Sequence, residues 1–433
     1  MSGLWERDRN AIAGLQKLRF FPLALVGGDG AYVIDESGRR LLDLSAAWGS
    51  ASLGYGHSAI RSAVDAALAS PAGASILSAT HRGAVELAET LIASLPEIPD
   101  ARVWFGHSGS DANETAFRAI AAATGRPRVI AFTGAYHGGT AGSMAISGHS
   151  VQSHAKRDAG LLQLPYPDPY RPLNRPQDIL AGLAHRFATD LPPETVGALF
   201  LEPIQSDGGL IVPPAGFLAD LVALCRRHGI LIVADEVKVG LARSGLMHCF
   251  RHEGFTPDLI CLGKGLGGGL PVSALVGPAR IMNHATAFAM QTLHGNPACL
   301  AAAQAVLATI EAEDLVGNSA RTGAVLLQAL KSLQIHHPEI GDVRGRGLMI
   351  GVELINPDGT ASHQLAAKLV YRAFELGLVL YYVGLNSNVL ELTPPLILTA
   401  VQAREAVAIL DRALEDVAAG AVSDSAVQDF AGW

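Results

Sequence analysis

The sequence predicts an α/β protein: a large domain on a mostly parallel sheet, with a smaller α+β domain made from the two ends of the chain. Three observations point there. Short apolar runs alternate with helical patterns through the middle of the 433 residues, as strands and crossover helices of a parallel sheet do. Four of these runs, "RVIAF" (128–132), "GALFLEPI" (197–204), "GILIVADEV" (229–237) and "DLICLGKG" (258–265), read as buried strands. Between the second and third, "GFLADLVALCRRHG" sets Leu218, Leu221, Val222 and Cys225 at helical spacing, and Gly229 can end that helix. The result is one βαβ unit.

Taken in order, "AYVIDESGRRLLDL" gives short strands around an "ESGR" turn. Residues 60–295 read as the large domain. After about residue 300 come a long alanine-rich helix, "IGDVRGRGLMIGVEL", more helix, "GLVLYYVGLNSNVLELTPPL" and a final helix. Residues 1–59 and 296–433 together are expected to form the small domain.

Composition bounds the function. A net charge of −8 with 49% hydrophobic residues and Gly 47 fits a large, well-packed enzyme and gives no reason to expect nucleic acid or an anionic membrane as partner. The four cysteines (Cys225, Cys249, Cys261, Cys299) lie far apart without a CxxC pair, so neither a zinc spacing nor a small disulfide framework is expected, and no metal site is predicted. Two of them fall in apolar runs as core thiols. The opening "MSGLWERDRN" lacks the apolar region of a signal peptide, and no apolar stretch reaches about 18 residues. The expected compartment is the cytoplasm.

Ligands of open α/β sheets bind beyond the carboxyl ends of the strands. Asp235 closes "ILIVAD", Glu202 and then Asp207 follow "ALFL", and Lys264 closes "LICLGK". Each alone fits a structural ion pair or a loop cap; together on one rim they point to a site. An amine beside an apolar wall favours its neutral form, and a neutral lysine can form a Schiff base. The glycines after Lys264 let backbone approach a bound ring, although any Gly-rich loop reads the same. Asp235, facing a pyridine nitrogen, would keep it protonated and make the ring an electron sink. In "GHSGSDANETAFRAI", Ser108, Gly109 and Ser110 precede a helix with apolar Ala116, Phe117 and Ile120, which makes either an anion site or an ordinary N-cap. Tyr136 in "GAYHGGT" either stacks on a planar ligand or is a half-buried loop tyrosine.

In order and spacing, "SGSDANE", "AYHG", "EPI…GG", "DEV" followed by "G…RSG", and "GKGLGGGLP" resemble the class III pyridoxal-phosphate aminotransferases of fold type I. The resemblance covers nearly the whole chain. It implies pyridoxal 5′-phosphate as cofactor and a homodimer. Lys264 becomes the Schiff-base lysine, Asp235 the partner of the pyridine nitrogen, and Tyr136 the ring-stacking aromatic. Gly109 and Ser110 meet the phosphate, which Thr292 in "QTLHGNP" reaches from the neighbouring subunit.

Two positions depart from that pattern. Glu391, three residues before "PPL", stands where members that use amino acids usually carry an arginine for the substrate carboxylate, and an anion there should repel one. Lys238, in "DEVKVG", stands where glutamine is common beside the ring hydroxyl. Both features, with "KLRFFPLA", "AAWGSASLGYGH", "EPIQSDGGLIVPP", "AFAMQTLHGNP" and "DFAGW", resemble the aminolactam racemase branch of the family. That implies racemisation of α-amino-ε-caprolactam and amino acid amides.

Racemisation needs a proton removed from one face of Cα and returned to the other. Lys264 serves one face. Asp207, in "QSDGG", is assigned the opposite one, with a turn-forming aspartate as its structural alternative. Trp48 in "AAWGS" walls the substrate pocket or packs in the core. Glu202 contacts substrate or holds a loop, and stays outside the catalytic set. The rival activity is a class III aminotransferase of amines or ω-amino acids, using the same residues but reprotonating the cofactor's C4′. A cofactor-binding regulator is a third reading, against which the intact Lys264 and Asp235 argue.

Overall fold

The computed structural model describes residues 3–70 and 72–430. At its centre a seven-stranded sheet runs, edge to edge, Ala101–Gly106, Ser273–Pro278, Leu259–Leu262, Leu231–Asp235, Val196–Leu201, Arg128–Phe132 and Leu161–Leu164. The last five are mutually parallel. Ser273–Pro278 is antiparallel to both its neighbours. The four strands read from sequence occupy adjacent places in the parallel part.

Their composition explains why. Successive side chains of a strand point to opposite faces. Leu199, Leu201, Ile232, Ala234, Ile260 and Leu262 join Leu218, Leu221 and Val222 of helix Phe217–Arg226 in one core. Ala198, Phe200, Leu231, Val233, Leu259 and Cys261 join Ala112, Ala116, Ala119 and Ile120 of helix Gly109–Thr124 in another. A strand covered on both faces must be apolar throughout. Its first polar residue therefore falls where cover ends, at the carboxyl rim.

Two smaller sheets flank this body. Leu25–Asp29, Tyr32–Asp35 and Arg40–Asp43 are completed by Leu378–Val379, so strands from near the two ends of the chain share a sheet. Ile340–Arg346, Met349–Leu354, Val389–Leu392 and Tyr381–Val383 form the other. Leu41, Leu42, Leu330, Leu369, Leu390 and Leu410 share one core.

The long alanine-rich helix expected after residue 300 is two helices, Pro297–Ala312 and Leu315–His336. Asp314 breaks it. Its φ is +47°, and its carboxylate accepts the Gly317 N–H at 3.1 Å as the cap of the second helix. Leu300 and Val306 of the first helix pack in the core of the large sheet, whereas Leu326 and Leu330 of the second pack with the small ones.

Buried Arg243 donates to the carbonyls of Leu348 (3.2 Å) and Pro394 and so pins the "PPL" turn to the large body. Cys225, Cys249, Cys261 and Cys299 are free thiols. Among the described residues no helix is long and apolar enough to cross a membrane. Residues 1–2 of the opening segment and 431–433 of "DFAGW" lie outside the described residues.

Candidate active site

A cavity of about 360 Å³ opens at the carboxyl ends of Val196–Leu201, Leu231–Asp235 and Leu259–Leu262. Ser108, Gly109, Ser110, Tyr136, Asp207, Asp235, Lys238 and Lys264 all line it, as does Glu202. Trp48 stands behind Lys238 rather than on the wall itself. Thr292 lies on an exposed turn and is not among the lining residues.

Lys264 follows the last strand residue by one glycine and has φ +41°, a left-handed conformation that a lysine adopts only at a cost. Ser52 holds the next turn by donating to the Gly265 carbonyl at 2.7 Å. Burial, followed by the neighbouring Lys238 charge, pushes the Lys264 amine below the usual lysine range, despite Asp207, Glu391 and Asp235. That favours the nucleophilic, neutral form.

Asp235 is fixed on three sides. Its Oδ2 accepts from Asn113 Nδ2 and His137 Nδ1, both at 2.8 Å, and its Oδ1 accepts the Val237 N–H at 3.1 Å. Burial works against a charged His137, but the hydrogen bond and charge of Asp235 prevail and raise its pKa. Asn113 also donates to the His137 carbonyl at 3.0 Å. Neither His137 nor Asn113 was expected as a site residue. Both sit inside motifs singled out above, "AYHGG" and "SDANE", but only the fold reveals that they meet at Asp235.

The opposite end presents a helix N-terminus. Helix Gly109–Thr124 begins at the cavity, and a reciprocal capping box between Ser108 and Asp111 fixes its first turn. The early N–H groups of a helix lack acceptors within it, so they are available to a phosphate. Gly109 is required there: a Cβ would lie 2.4 Å from Val237 Cγ1. Ser110 Oγ accepts the Gly139 N–H at 2.9 Å. Burial, then the charge of Asp207, raises the Tyr136 phenol pKa and keeps it neutral.

The two departures noted in the sequence meet in space. Lys238 Nζ lies 2.7 Å from Asp207 Oδ1, 2.5 Å from Glu391 Oε1 and 5.2 Å from the centre of the Trp48 ring. Burial opposes the Lys238 charge, but the two carboxylates raise its pKa well above normal. Burial likewise opposes the Asp207 charge, yet Lys238 and Lys264 lower its pKa. Glu391 ends raised, because burial and the Asp207 charge outweigh Lys238. Glu391 is therefore one arm of an ion cluster rather than an isolated anion. Trp48, with φ +64° after two other left-handed residues, packs against Tyr381 with ring centres 4.8 Å apart and planes tilted by 32°. Thr393 bonds the backbone of Leu44 and Ser45, tying the Glu391 strand to the Trp48 turn.

Glu202 accepts the N–H groups of Tyr136 (3.3 Å) and Ser206 (3.0 Å). Burial, then the charge of Asp235, pushes its carboxyl up to about 7.

A desolvated amine, a braced carboxylate and a helix N-terminus around one cavity match the aldehyde, ring nitrogen and phosphate of vitamin B6. The fold and this donor set define a pyridoxal 5′-phosphate-dependent enzyme of fold type I. The aminotransferase class-III family model matches residues 16–414. The chain is similar to an alanine/serine racemase of Pyrococcus horikoshii, 35% identical over 98% of this chain and 92% of the relative. It is similar also to an isoleucine 2-epimerase of Lentilactobacillus buchneri, 33% identical over 100% and 98% respectively. An amine transaminase from an uncultivated Pseudomonas species, solved in its pyridoxal-phosphate-bound form, superposes with a TM-score of 0.85 at 34% identity, covering 91% of this chain and 94% of that one. The chain belongs to the class-III aminotransferase family.

Proposed function

We propose that this protein racemises α-amino-ε-caprolactam and amino acid amides. The Asp207–Lys238–Glu391 cluster carries the reading. It contains two carboxylates and one ammonium, and among the described residues lining the cavity there is no arginine. A substrate carboxylate here meets two acidic side chains whose one ammonium is already shared between them, in a wall that screens poorly. A lactam or amide brings no charge. Its Cα–H is also the more acidic, because the adjoining carbonyl is neutral.

Bound pyridoxal phosphate supplies an aldehyde for the substrate amine and a ring that accepts the electron pair left at Cα. Asp235, braced by Asn113 and His137, would keep the ring nitrogen protonated. Ser108, Gly109 and Ser110 would hold the phosphate, Tyr136 would cover the ring and Trp48 would back the substrate side. Lys264 Nζ takes the Cα proton on one face. Asp207 serves the other, and Lys238 Nζ holds the proton that this pair exchanges. In the homodimer, Thr292 reaches the phosphate site of the neighbouring subunit. The racemase and epimerase relatives support isomerisation as the reaction type.

The amine transaminase likeness favours a second reading, transamination of amines or ω-amino acids through the same Lys264 and Asp235. Incubation with L-α-amino-ε-caprolactam in D₂O separates them. Racemisation gives both enantiomers with deuterium at Cα and leaves the cofactor absorbance unchanged. Formation of a keto product with conversion of the cofactor to its amine form, without the D-enantiomer, contradicts the proposal.

A further inference from the structure

Beside the anion-binding end of the cavity lies a cluster for which the proposed reaction has no use. One ring nitrogen each of His107 and His294 and one carboxylate oxygen of Asp111 lie within 4.8 Å of one another. We infer that His107, Asp111 and His294 form a binding site for a divalent late transition-metal ion, of which zinc is the reference case.

Three segments bring these groups together. His107 follows strand Ala101–Gly106, Asp111 sits in the first turn of helix Gly109–Thr124, and His294 precedes helix Pro297–Ala312. Two imidazoles with one carboxylate suit zinc and its neighbours, whereas magnesium and calcium prefer oxygen alone.

The donors are oriented before any ion arrives. Asp111 Oδ2 accepts the N–H groups of His107 (3.0 Å) and Ser108 (3.1 Å), while no hydrogen bond to its Oδ1 occurs among the described residues. His294 is only 5% exposed, and its buried Nε2 has no hydrogen-bond partner. Its ring meets those of His107 and Trp104 edge-on, with centres 4.6 Å and 4.8 Å away. The backbone is pinned as well, because the Ile76 N–H donates to the His294 carbonyl at 3.1 Å and the His81 ring bonds the Gly295 carbonyl at 2.9 Å.

Tetrahedral ligands about 2.0–2.2 Å from a zinc ion stand roughly 3.4 Å apart, so donor atoms that now lie within 4.8 Å of one another must close in when the ion binds. His107 and Asp111 are half-buried and can supply that closure by torsion. A cavity of about 400 Å³, lined in part by Asp111, Glu114 and His294, gives access and room for water as a further ligand. Held there, the ion ties the turn at residues 292–295 to the start of the phosphate-binding helix.

The test is calorimetric titration of tag-free, chelator-stripped holoenzyme with zinc chloride. One ion per chain should bind with a Kd of about 1 μM or tighter. His107→Gln and His294→Gln should each weaken binding on the order of 100-fold while keeping the cofactor absorbance. Anomalous scattering from zinc-soaked wild-type crystals should place a peak between the three side chains, independently of how the variants fold. A peak elsewhere only, no saturable binding below the millimolar range, or equal affinity in both variants overturns the inference.

Discussion

Two aspartates at neighbouring strand ends are buried almost equally, Asp235 at 5% exposure and Asp207 at 3%, yet they are held by opposite means. Asp235 is fixed by an amide, an imidazole and a backbone N–H. Asp207 is fixed by an ammonium that it shares with a second carboxylate. The first arrangement is a stiff cradle of directional hydrogen bonds, suited to placing one charge against a ring nitrogen. The second is a charge cluster in which one member's protonation depends on the others. In the proposed reaction, one wall would fix the cofactor, and the other would decide which substrate is tolerated and where a proton can wait.

Removing the group between the two walls should have the largest effect. Lys264→Ala is expected to lose measurable racemisation and the Schiff-base absorbance of the holoenzyme, both read in one spectrophotometric and chiral assay. Next is the proton path on the cluster side. Asp207→Asn should lower racemisation by about 10²–10⁴-fold while leaving cofactor affinity near wild type, because Asp235 is untouched. Equal loss of cofactor in that variant would erase the division between the walls.

The cluster can also be broken through its cation. Lys238→Met leaves Asp207 and Glu391 buried together without an ammonium and should cost about 3–5 kcal/mol in urea unfolding. The smallest effect is at Glu202, whose carboxyl is raised from 4.5 to about 7. A raised acid binds its proton more tightly folded than unfolded, so its contribution to stability is complete below pH 4.5 and lost as pH rises through about 7. Unfolding of the cofactor-free protein across that window should show a decline that Glu202→Gln flattens.

Much of this was legible in the sequence because the parallel strands are apolar up to the point where cover ends. The first charges after "ILIVA", "ALFL" and "LICLG" had to lie on the rim. Contacts between distant segments were not legible. His137 and Asn113 lie 98 and 122 positions from Asp235, and no local pattern pairs them with it. Lys238 and Glu391 were visible as two unusual residues of opposite charge, a signal of pairing that only the fold turns into a cluster. The break at Asp314 was hidden for a different reason. "EAEDLVGN" suits a helix interior nearly as well as a boundary, and a single left-handed residue decides the matter.

The most direct measurement compares L-alaninamide with L-alanine under identical conditions, following appearance of the D-enantiomer by chiral chromatography. The account predicts kcat/KM for the amide at least about 100-fold above that for the free acid, since a carboxylate would be buried beside Asp207 and Glu391, which already share the Lys238 ammonium. Comparable values for the two would contradict it.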